Sequence, residues 1–298
     1  MKSVKLVFVI ACFLFTGKSL WAQSNDTAIR FGLFADTQYG DCDDGPTRFY
    51  RNALQKLGIC VDYFNEKQVD FAVNLGDIVD RNPADLEPVL ACLERLQCPL
   101  YHTTGNHDYK GITDNRALYD KLSMPAEYYS IKKGNWRLVF LNTNEVAAYS
   151  NVEGTEKERE LIAMTDRIKA TGGLQGARWN GGVSERQLAW LDGLLAESQQ
   201  TGENVVVFSH HPFYPRTEFT ALNNLEVLET IERYPCVRII ISGHHHAGAF
   251  AYYKNIPVVT VEGMIETANE NSFGIVTLSP HKIEIEGQGR MTSRVFEK

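Results

Sequence analysis

Short runs of apolar and β-branched residues recur along the chain and are separated by polar segments. Such runs, bounded by turn-forming residues, predict buried β-strands. They cover residues 29–35, 71–75, 100–103, 137–141, 205–209, 237–242, 258–261 and 273–278. Residues 282–286 alternate apolar and charged side chains, and this pattern predicts a further, half-exposed strand.

Apolar positions with helical spacing fill many of the gaps between these strands. The predicted helices cover residues 48–65, 86–96, 185–197 and 225–234. Ser184 followed by Gln187 forms a capping-box pattern, so the third of these helices is expected to begin at this point. The alternation of strands and helices indicates a layered α/β fold.

Between residues 144 and 182 the chain becomes polar, with many charged residues at 156–160 and five glycines from residue 172 onward. This segment could link two domains, but the strands on its two sides look like parts of one sheet system. We therefore expect a single domain over residues 23–298. Residues 144–182 are expected to form a partly helical insertion over one face.

The first 22 residues have the pattern of a secretory signal peptide. Lys2 and Lys5 precede an apolar run over residues 6–15, which is shorter than the roughly 20 residues that span a membrane. Cys12 resembles a lipoprotein acceptor, but the apolar stretch continues beyond it and argues against anchoring. We expect a protein without a membrane span that is secreted or periplasmic after cleavage.

The composition is that of a globular protein, with 44% hydrophobic residues. Removing residues 1–22 takes away three of the 30 basic residues and no acidic residue, so 27 Lys and Arg oppose 37 Asp and Glu, a net charge of −10. Such a surface repels nucleic acid and acidic membranes. A negatively charged substrate would therefore need local cations. The five cysteines after residue 22 do not indicate a disulfide framework.

Six of the eight histidines lie in three short clusters, which chance would not favour. The clusters are His107, then His210 with His211, and then residues 244–246. Each cluster follows an apolar run and is bounded by a turn residue, which places it at the carboxyl end of a strand. Open α/β sheets build their sites at these ends.

Five strand ends carry potential metal ligands. In chain order they read Asp36-Thr37-Gln38, Gly76-Asp77-Ile78-Val79-Asp80, Gly105-Asn106-His107-Asp108, His210-His211 and Gly243-His244-His245-His246. Carboxylate, amide and imidazole groups together suit a divalent cation of intermediate hardness. Taken singly, Asp36, Asp77 and Asn106 are better explained as turn or capping residues. Together with the histidines they indicate a metal site.

This ordered set resembles the calcineurin-like metallophosphoesterase superfamily, whose pattern is Asp-x-His, Gly-Asp-x-x-Asp, Gly-Asn-His-Asp/Glu, His and Gly-His-x-His. The resemblance implies a layered αββα sandwich with an inserted cap, and two metal ions bridged by one carboxylate. The implied ligands are, for one ion, Asp36, Gln38, Asp77 and His246, and for the other, Asp77, Asn106, His210 and His244. His107, which is outside this set, is the candidate catalytic residue, and Asp80 resembles the acid that orients it.

Gln38 stands where most of the superfamily has histidine. An Asp-x-Gln first motif is similar to one branch, the manganese-dependent ADP-ribose/CDP-alcohol diphosphatases. Further stretches that resemble this branch are residues 31–41, 48–51, 179–182, 262–267 and 287–290. Mn²⁺ is therefore the expected metal, since an amide oxygen is a harder ligand than an imidazole nitrogen. Fe, Zn and Mg are the alternatives.

The resemblance implies hydrolysis of the diphosphate bond in small nucleotide conjugates such as ADP-ribose or CDP-alcohols, through attack by a metal-bound hydroxide. A general phosphodiesterase or phosphomonoesterase is the alternative, since the ligands do not encode the leaving group. A metal-binding scaffold without catalysis is a third hypothesis, against which the unligated His107 argues. Arg81, Asn180 and Glu266 are candidate substrate contacts, although surface, loop or turn roles explain them too. The sequence does not indicate the oligomeric state.

Overall fold

The computed structural model describes residues 28–297, so the predicted signal peptide over residues 1–22 and Cys12 lie outside the described residues. Within this range the strands are β1 (Ile29–Phe34), β2 (Phe71–Asn74), β3 (Leu100–His102), β4 (Tyr129–Lys133), β5 (Trp136–Phe140), β6 (Asn204–Ser209), β7 (Val237–Ser242), β8 (Ala249–Tyr253), β9 (Ile256–Thr260), β10 (Ser272–Leu278), β11 (Lys282–Gly289) and β12 (Arg294–Glu297). They pair into two sheets, with the orders β12-β11-β10-β1-β2-β3 in sheet 1 and β4-β5-β6-β7-β9-β8 in sheet 2.

The α-helices of the described chain are α1 (Asn52–Glu66), α2 (Leu86–Leu93), α3 (Asn115–Lys121), α4 (Glu156–Thr171), α5 (Glu185–Thr201) and α6 (Asn224–Ile231). Helix α5 begins where the capping box predicts, since the Ser184 side chain accepts from the Gln187 N–H at 3.1 Å. Helix α1 begins at Asn52 rather than at residue 48, because Arg48 instead forms an isolated antiparallel bridge with Glu266. Among residues 28–297 no helix is long and apolar enough to cross a membrane.

The two sheets pack face to face, and helices cover their outer faces. Alternate residues of β5, β6 and β7 belong to different apolar clusters. Those that pack between the sheets are Leu138, Phe140, Val206, Phe208, Ile239 and Ile241. Those that pack against α5 and α6 are Val139, Val205, Val207 and Ile240. The Phe31 and Phe208 rings, 5.7 Å apart, join the two sheets, and Phe64 of α1 lies against Phe34 on the outer face of sheet 1. The predicted αββα sandwich is therefore confirmed.

The polar segment over residues 144–182 lies between β5 and β6, which are parallel neighbours in sheet 2. Its helix α4 packs through Met164 and Ile168 onto Val146 and Leu222. The strands on its two sides thus belong to one sheet, which supports the hypothesis of an insertion. A single domain over residues 23–298 stays a prediction.

The strands that precede the predicted ligands run in the same direction within each sheet. Strands β1, β2 and β3 are parallel in sheet 1, and β6 and β7 are parallel in sheet 2. The carboxyl ends of parallel strands meet at one edge of a sheet. The fold therefore places the five ligand-bearing loops at one end of the sandwich.

Candidate metal centre

Four of the predicted ligands have a backbone conformation that is rare for residues other than glycine. Asp36, Gln38, Asp77 and His244 have φ angles of +53°, +44°, +55° and +69°. Residues in this left-handed region cluster at functional sites, where the surrounding structure holds them. The loops after β1 and β2 hold each other here, because the Asp36 N–H donates to the Gly76 carbonyl oxygen at 3.0 Å.

Two glycines next to predicted ligands are required by the close approach of the backbone. A Cβ atom on Gly105 would lie 2.1 Å from Asp77 Oδ1, and one on Gly243 would lie 2.8 Å from Asp36 Oδ2. Both distances are too short for a side chain, so the bare backbone forms the wall against which each carboxylate rests. The glycines before the third and fifth ligand motifs thus have a steric cause.

The first predicted ligand group comprises Asp36, Gln38, Asp77 and His246. One ligand atom from each of Asp36, Asp77 and His246 lies within 4.8 Å of the others. His246 Nε2 lies 3.5 Å from Asp36 Oδ1, and Gln38 Nε2 donates to Asp77 Oδ2 at 2.9 Å. The structure thus brings together all four residues assigned to one ion.

Asp77 also adjoins the second group, which adds Asn106, His210 and His244. His210 Nε2 lies 3.5 Å from Asp77 Oδ2, 3.2 Å from Asn106 Oδ1 and 3.2 Å from His244 Nδ1. Asp77 Oδ2 therefore lies between the two groups, as a carboxylate that bridges two ions must. The assignment of each ligand stays a prediction, which this geometry supports.

Each predicted histidine ligand has one ring nitrogen held by the protein and the other directed into its group. The three contacts, at 2.8, 3.0 and 2.8 Å, run from His210 Nδ1 to the Leu75 carbonyl oxygen, from His244 Nε2 to Asn180 Oδ1, and from His246 Nδ1 to Glu266 Oε1. Contacts of this kind fix the tautomer and the ring orientation of histidines that bind metals.

The candidate substrate contacts Asn180 and Glu266 therefore hold two of the predicted ligands. Asn180 is buried, and its amide also donates to two backbone carbonyl oxygens at 2.8 and 2.6 Å. The third candidate, Arg81, donates to Asp80 Oδ2 at 2.6 Å, and its guanidinium lies over the Tyr50 ring. A contact between any of these three residues and the substrate stays a prediction.

The donor set fits two divalent ions. Gln38 Nε2 faces Asp77 Oδ2 and His246 Nε2, while its Oε1 is buried without a hydrogen-bond partner. A half-turn of the amide would direct Oε1 into the group, where a bound cation would remove the cost of an unpaired buried oxygen. The first group offers mainly oxygen ligands, which suits Mn²⁺, whereas the second group is richer in imidazole nitrogen. Asp36, Gln38 and His246 would hold one ion, with Asp77 shared between both.

The predicted ligands differ in their protonation. Burial alone would lower the pKa of His210, but Asp77 outweighs this effect and raises it to about 9, so a bound cation would have to displace a proton from this ring. Burial alone would raise the pKa of Asp77, but the neighbouring His210 and His107 outweigh this effect and hold the pKa well below its usual value. Burial, together with the nearby His211, holds the pKa of His244 well below its usual value. Asp77 is thus a carboxylate and His244 a neutral imidazole, which are the forms that bind metals.

His107, the predicted catalytic residue, lies beside both groups. Its Nδ1 lies 2.7 Å from the Asp80 carbonyl oxygen and 3.0 Å from Asp80 Oδ1. Its backbone N–H donates to Asp77 Oδ1 at 2.7 Å. These contacts fix the ring and leave Nε2 as the nitrogen that can reach a substrate. The catalytic roles of His107 and Asp80 stay predictions.

The remaining histidines of the clusters lie next to the site, and one ring nitrogen of His211 lies within 4.8 Å of nitrogens of His210 and His244. His211 Nδ1 lies 2.9 Å from Thr143 Oγ1, and its Nε2 donates to the Trp179 carbonyl oxygen at 3.1 Å. The His245 ring stacks on Phe219, with ring centroids 4.4 Å apart. Both placements agree with packing or supporting roles.

Sequence reasoning missed the role of Asp108. Its buried carboxylate accepts hydrogen bonds from four backbone N–H groups, those of Asp77 (3.0 Å), Ile78 (2.8 Å), Val79 (3.3 Å) and Gly105 (2.8 Å). It therefore ties the loop after β2 to the loop after β3. The acidic last position of the Gly-Asn-His-Asp motif was the signal that could have identified it.

A cleft of about 560 Å³ opens over the two groups. Its walls are formed by Gln38, Arg48, Asp77, Asn106, His107, Lys110, Trp179, Glu218, Phe219, His244 and His246. Arg48 and Lys110 give the cleft two cations, although the chain as a whole is acidic. Lys110 Nζ lies 2.9 Å from His107 Nδ1. Arg48 and Lys110 thus offer an anionic substrate two cations, although Asp77 and Glu218 on the same walls are acidic.

The chain forms a four-layered α/β sandwich with two adjacent ligand groups at its strand ends. A cleft with two cations opens over these groups. Together these features indicate a metal-dependent phosphoesterase. The sequence profile of the calcineurin-like phosphoesterase family matches residues 29–248. The chain therefore belongs to this family, which is a family of hydrolytic enzymes.

Relatives of known activity resemble the chain over nearly their full length. A human protein named manganese-dependent ADP-ribose/CDP-alcohol diphosphatase is 29% identical, with 92% of this chain and 94% of the relative aligned. The Arabidopsis thaliana protein of the same name is also 29% identical, with 90% and 96% aligned. The crystal structure of a dimetal phosphatase from Danio rerio superposes with a TM-score of 0.83 and 26% identity, covering 90% of this chain and 98% of that one. A purple acid phosphatase from yellow lupin, with a TM-score of 0.58 and 14% identity, shares the fold.

Proposed function

We propose that the chain hydrolyses the diphosphate bond of small nucleotide conjugates such as ADP-ribose or CDP-alcohols, with two Mn²⁺ ions. The observation that carries this proposal is the position of Asp77 Oδ2 between two ligand groups, one of which contains glutamine in place of histidine. Relatives that align over nine-tenths of the chain bear the name of this activity.

Bound divalent ions would stabilise negative charge on the phosphoryl group and would lower the pKa of a bound water molecule. The protein supplies the rest of the chemistry. Arg48 and Lys110 on the cleft wall are placed to bind the phosphate groups of an anionic substrate. His107, held at Nδ1 by Asp80, can donate a proton or a hydrogen bond from Nε2 to the leaving group. Trp179 and Phe219 add apolar surface suited to a flat ring.

A panel of substrates tests this proposal against the alternatives. ADP-ribose, a CDP-alcohol, a chromogenic phosphodiester and a phosphomonoester would each be assayed with Mn²⁺, Mg²⁺ and Zn²⁺. The proposal predicts the highest kcat/KM for the diphosphates with Mn²⁺. Preference for the simple esters would favour a general phosphoesterase. Inactivity on every substrate, with both ions bound, would favour a scaffold without catalysis.

We also propose that the protein is exported and acts outside the cytoplasm. The apolar run over residues 6–15, with two lysines before it and small residues after it, supports this proposal. Expression of the full chain followed by fractionation and N-terminal sequencing tests it. Export predicts a mature protein in the periplasm or medium that begins near Gln23, and an unprocessed cytoplasmic chain would contradict it.

A further inference from the structure

The segment that follows β9 contacts both sides of the first ligand group. The N–H groups of Met264 and Ile265 donate to the carbonyl oxygens of Ala35 and Asp36, at 3.0 and 2.8 Å. One residue further along, the Glu266 carboxylate accepts from His246 Nδ1. The position of this segment, residues 263–267, therefore sets the position of Asp36 and His246 together.

A buried lysine of α1 holds this segment. Lys56 is 3% exposed, and its ammonium group donates to the carbonyl oxygens of Met264, Glu266 (3.0 Å) and Thr267 (2.9 Å). An ammonium group has three donors, and all three are used on one short stretch of backbone. A buried cation is costly without such partners, so Lys56 stabilises one arrangement of the segment.

An arginine from the end of the chain holds the same segment from another side. Arg290 Nη1 donates to the Gly263 carbonyl oxygen at 2.9 Å, and Nη2 donates to the His246 carbonyl oxygen at 3.2 Å. Gly289, with φ of +60°, allows the turn that presents this arginine, since a Cβ atom there would lie 2.2 Å from the Asn271 carbonyl oxygen.

We propose that Lys56 and Arg290 are positioning residues for the first metal site: they clamp residues 263–267 and the backbone of His246, so that His246 Nε2 faces Asp36. Neither cation touches a predicted ligand atom, and both act through backbone carbonyl oxygens. This inference rests on the proposed function, because it takes His246 as a ligand. It also gives a role to the segment 287–290, to which the predicted chemistry assigned none, and to the backbone of the segment 262–267.

The test measures Mn²⁺ binding, with Mn²⁺ alone as the probe, by titration followed by electron paramagnetic resonance. The variants are Lys56→Met, Arg290→Met and Arg290→Lys. The matched controls are Lys67→Met, at the C-cap of α1, where the lysine pairs with Glu66, and Arg294→Met, in β12, where the guanidinium lies over the Phe250 ring. Circular dichroism and the metal-free Tm report whether each variant folds.

We expect the Met variants to bind one of the two ions about 10- to 100-fold more weakly, the usual effect of removing a group that orients a ligand, and the other ion with unchanged affinity. Arg290→Lys keeps a cationic donor group but not the fork that reaches two carbonyl oxygens, so it should lose less affinity than Arg290→Met. The controls should match the wild type. If Lys56→Met does not fold, the Arg290 variants decide.

Folded Arg290 variants that bind both ions with wild-type affinity would overturn the clamp, as would an equal loss at both ions. Failure of the proposed function would look different. In that case the wild-type protein itself would not bind two Mn²⁺ ions or would not cleave diphosphates.

Discussion

Asp108→Asn tests whether one buried carboxylate holds the metal-binding loops in place. Asp108 Oδ1 accepts from the N–H groups of Ile78 and Val79, and Oδ2 accepts from those of Asp77 and Gly105. An asparagine oxygen can keep the first pair of hydrogen bonds. Its NH₂ group would then face the second pair, so that two buried N–H groups lose their acceptor and meet another donor.

The magnitude follows from these contacts. Each buried donor left without a partner costs about 1–3 kcal/mol, which gives about 2–6 kcal/mol for two. Because the asparagine amide is neutral, the variant avoids the cost of burying a charged carboxylate, and this offsets part of the free energy lost with the two hydrogen bonds. We therefore expect the free energy of unfolding to fall by about 2–4 kcal/mol. We also expect weaker Mn²⁺ binding, because Asp77 lies on the loop that Asp108 would no longer hold.

Urea unfolding of the metal-free protein measures the first effect, and Mn²⁺ titration measures the second. Asp120→Asn is the matched control, since Asp120 is exposed and pairs only with Arg116 on the surface of α3. That control should change the unfolding free energy by less than about 1 kcal/mol. An Asp108→Asn protein as stable as the control, with unchanged Mn²⁺ affinity, would refute the role given to this carboxylate.

Three further predictions concern catalysis, metal choice and pH. His107→Ala should keep both metal ions while kcat falls by roughly 10²- to 10⁴-fold, because a group positioned to donate a proton or a hydrogen bond is lost. Metal analysis and steady-state kinetics check this prediction. Gln38→His should raise activity with Zn²⁺ relative to Mn²⁺, since an imidazole nitrogen replaces an amide oxygen; kcat/KM with each metal checks it. Burial alone would raise the pKa of Glu203, but hydrogen bonds from Lys132 and Arg137 outweigh it and hold the pKa at about 2. Its contribution to stability, of order 2–3 kcal/mol, should be present above about pH 4.5 and be lost as the pH falls towards 2, and Glu203→Gln should lack this part of the pH dependence in urea unfolding.

Each of these predictions has an outcome that contradicts it. Wild-type turnover by His107→Ala would mean that another group supplies the proton or the charge. An unaltered ranking of metals in Gln38→His would show that Gln38 is not a ligand, without affecting family membership. An identical acid dependence in Glu203→Gln and the wild type would show that the ion pairs of Glu203 do not stabilise the fold.

The sequence predicted most of the strands that build the site because these strands are largely buried on both faces. Strands β1, β2, β6 and β7 are mainly apolar, and each is followed by a predicted ligand. The strands that were missed are β4, β8 and β12, and each lies at the edge of a sheet. Edge strands pair on one side only and expose alternate residues, so their apolar signal is weak.

The ligand set was predictable because each ligand belongs to a short motif, whereas the groups that hold the ligands come from distant parts of the chain. His246 and Glu266 are 20 residues apart, and His244 and Asn180 are 64 residues apart. No local pattern connects such pairs. The hydrogen bonds from Asn180 and Glu266 to imidazole nitrogens could therefore not be predicted, and a contact between either residue and the substrate stays a prediction. The hydrogen bonds from Lys56 to backbone carbonyl oxygens could not be predicted either, because Lys56 and its partners are more than 200 residues apart.

The proposed diphosphatase activity is tested most directly by mass spectrometry of the products that the Mn²⁺-loaded protein forms from ADP-ribose in ¹⁸O-labelled water. Hydrolysis at phosphorus within the diphosphate predicts AMP and ribose phosphate, with one ¹⁸O atom in the phosphate group of one product. Intact ADP-ribose, from a protein that binds two Mn²⁺ ions and releases phosphate from simple monoesters, would contradict the proposed activity.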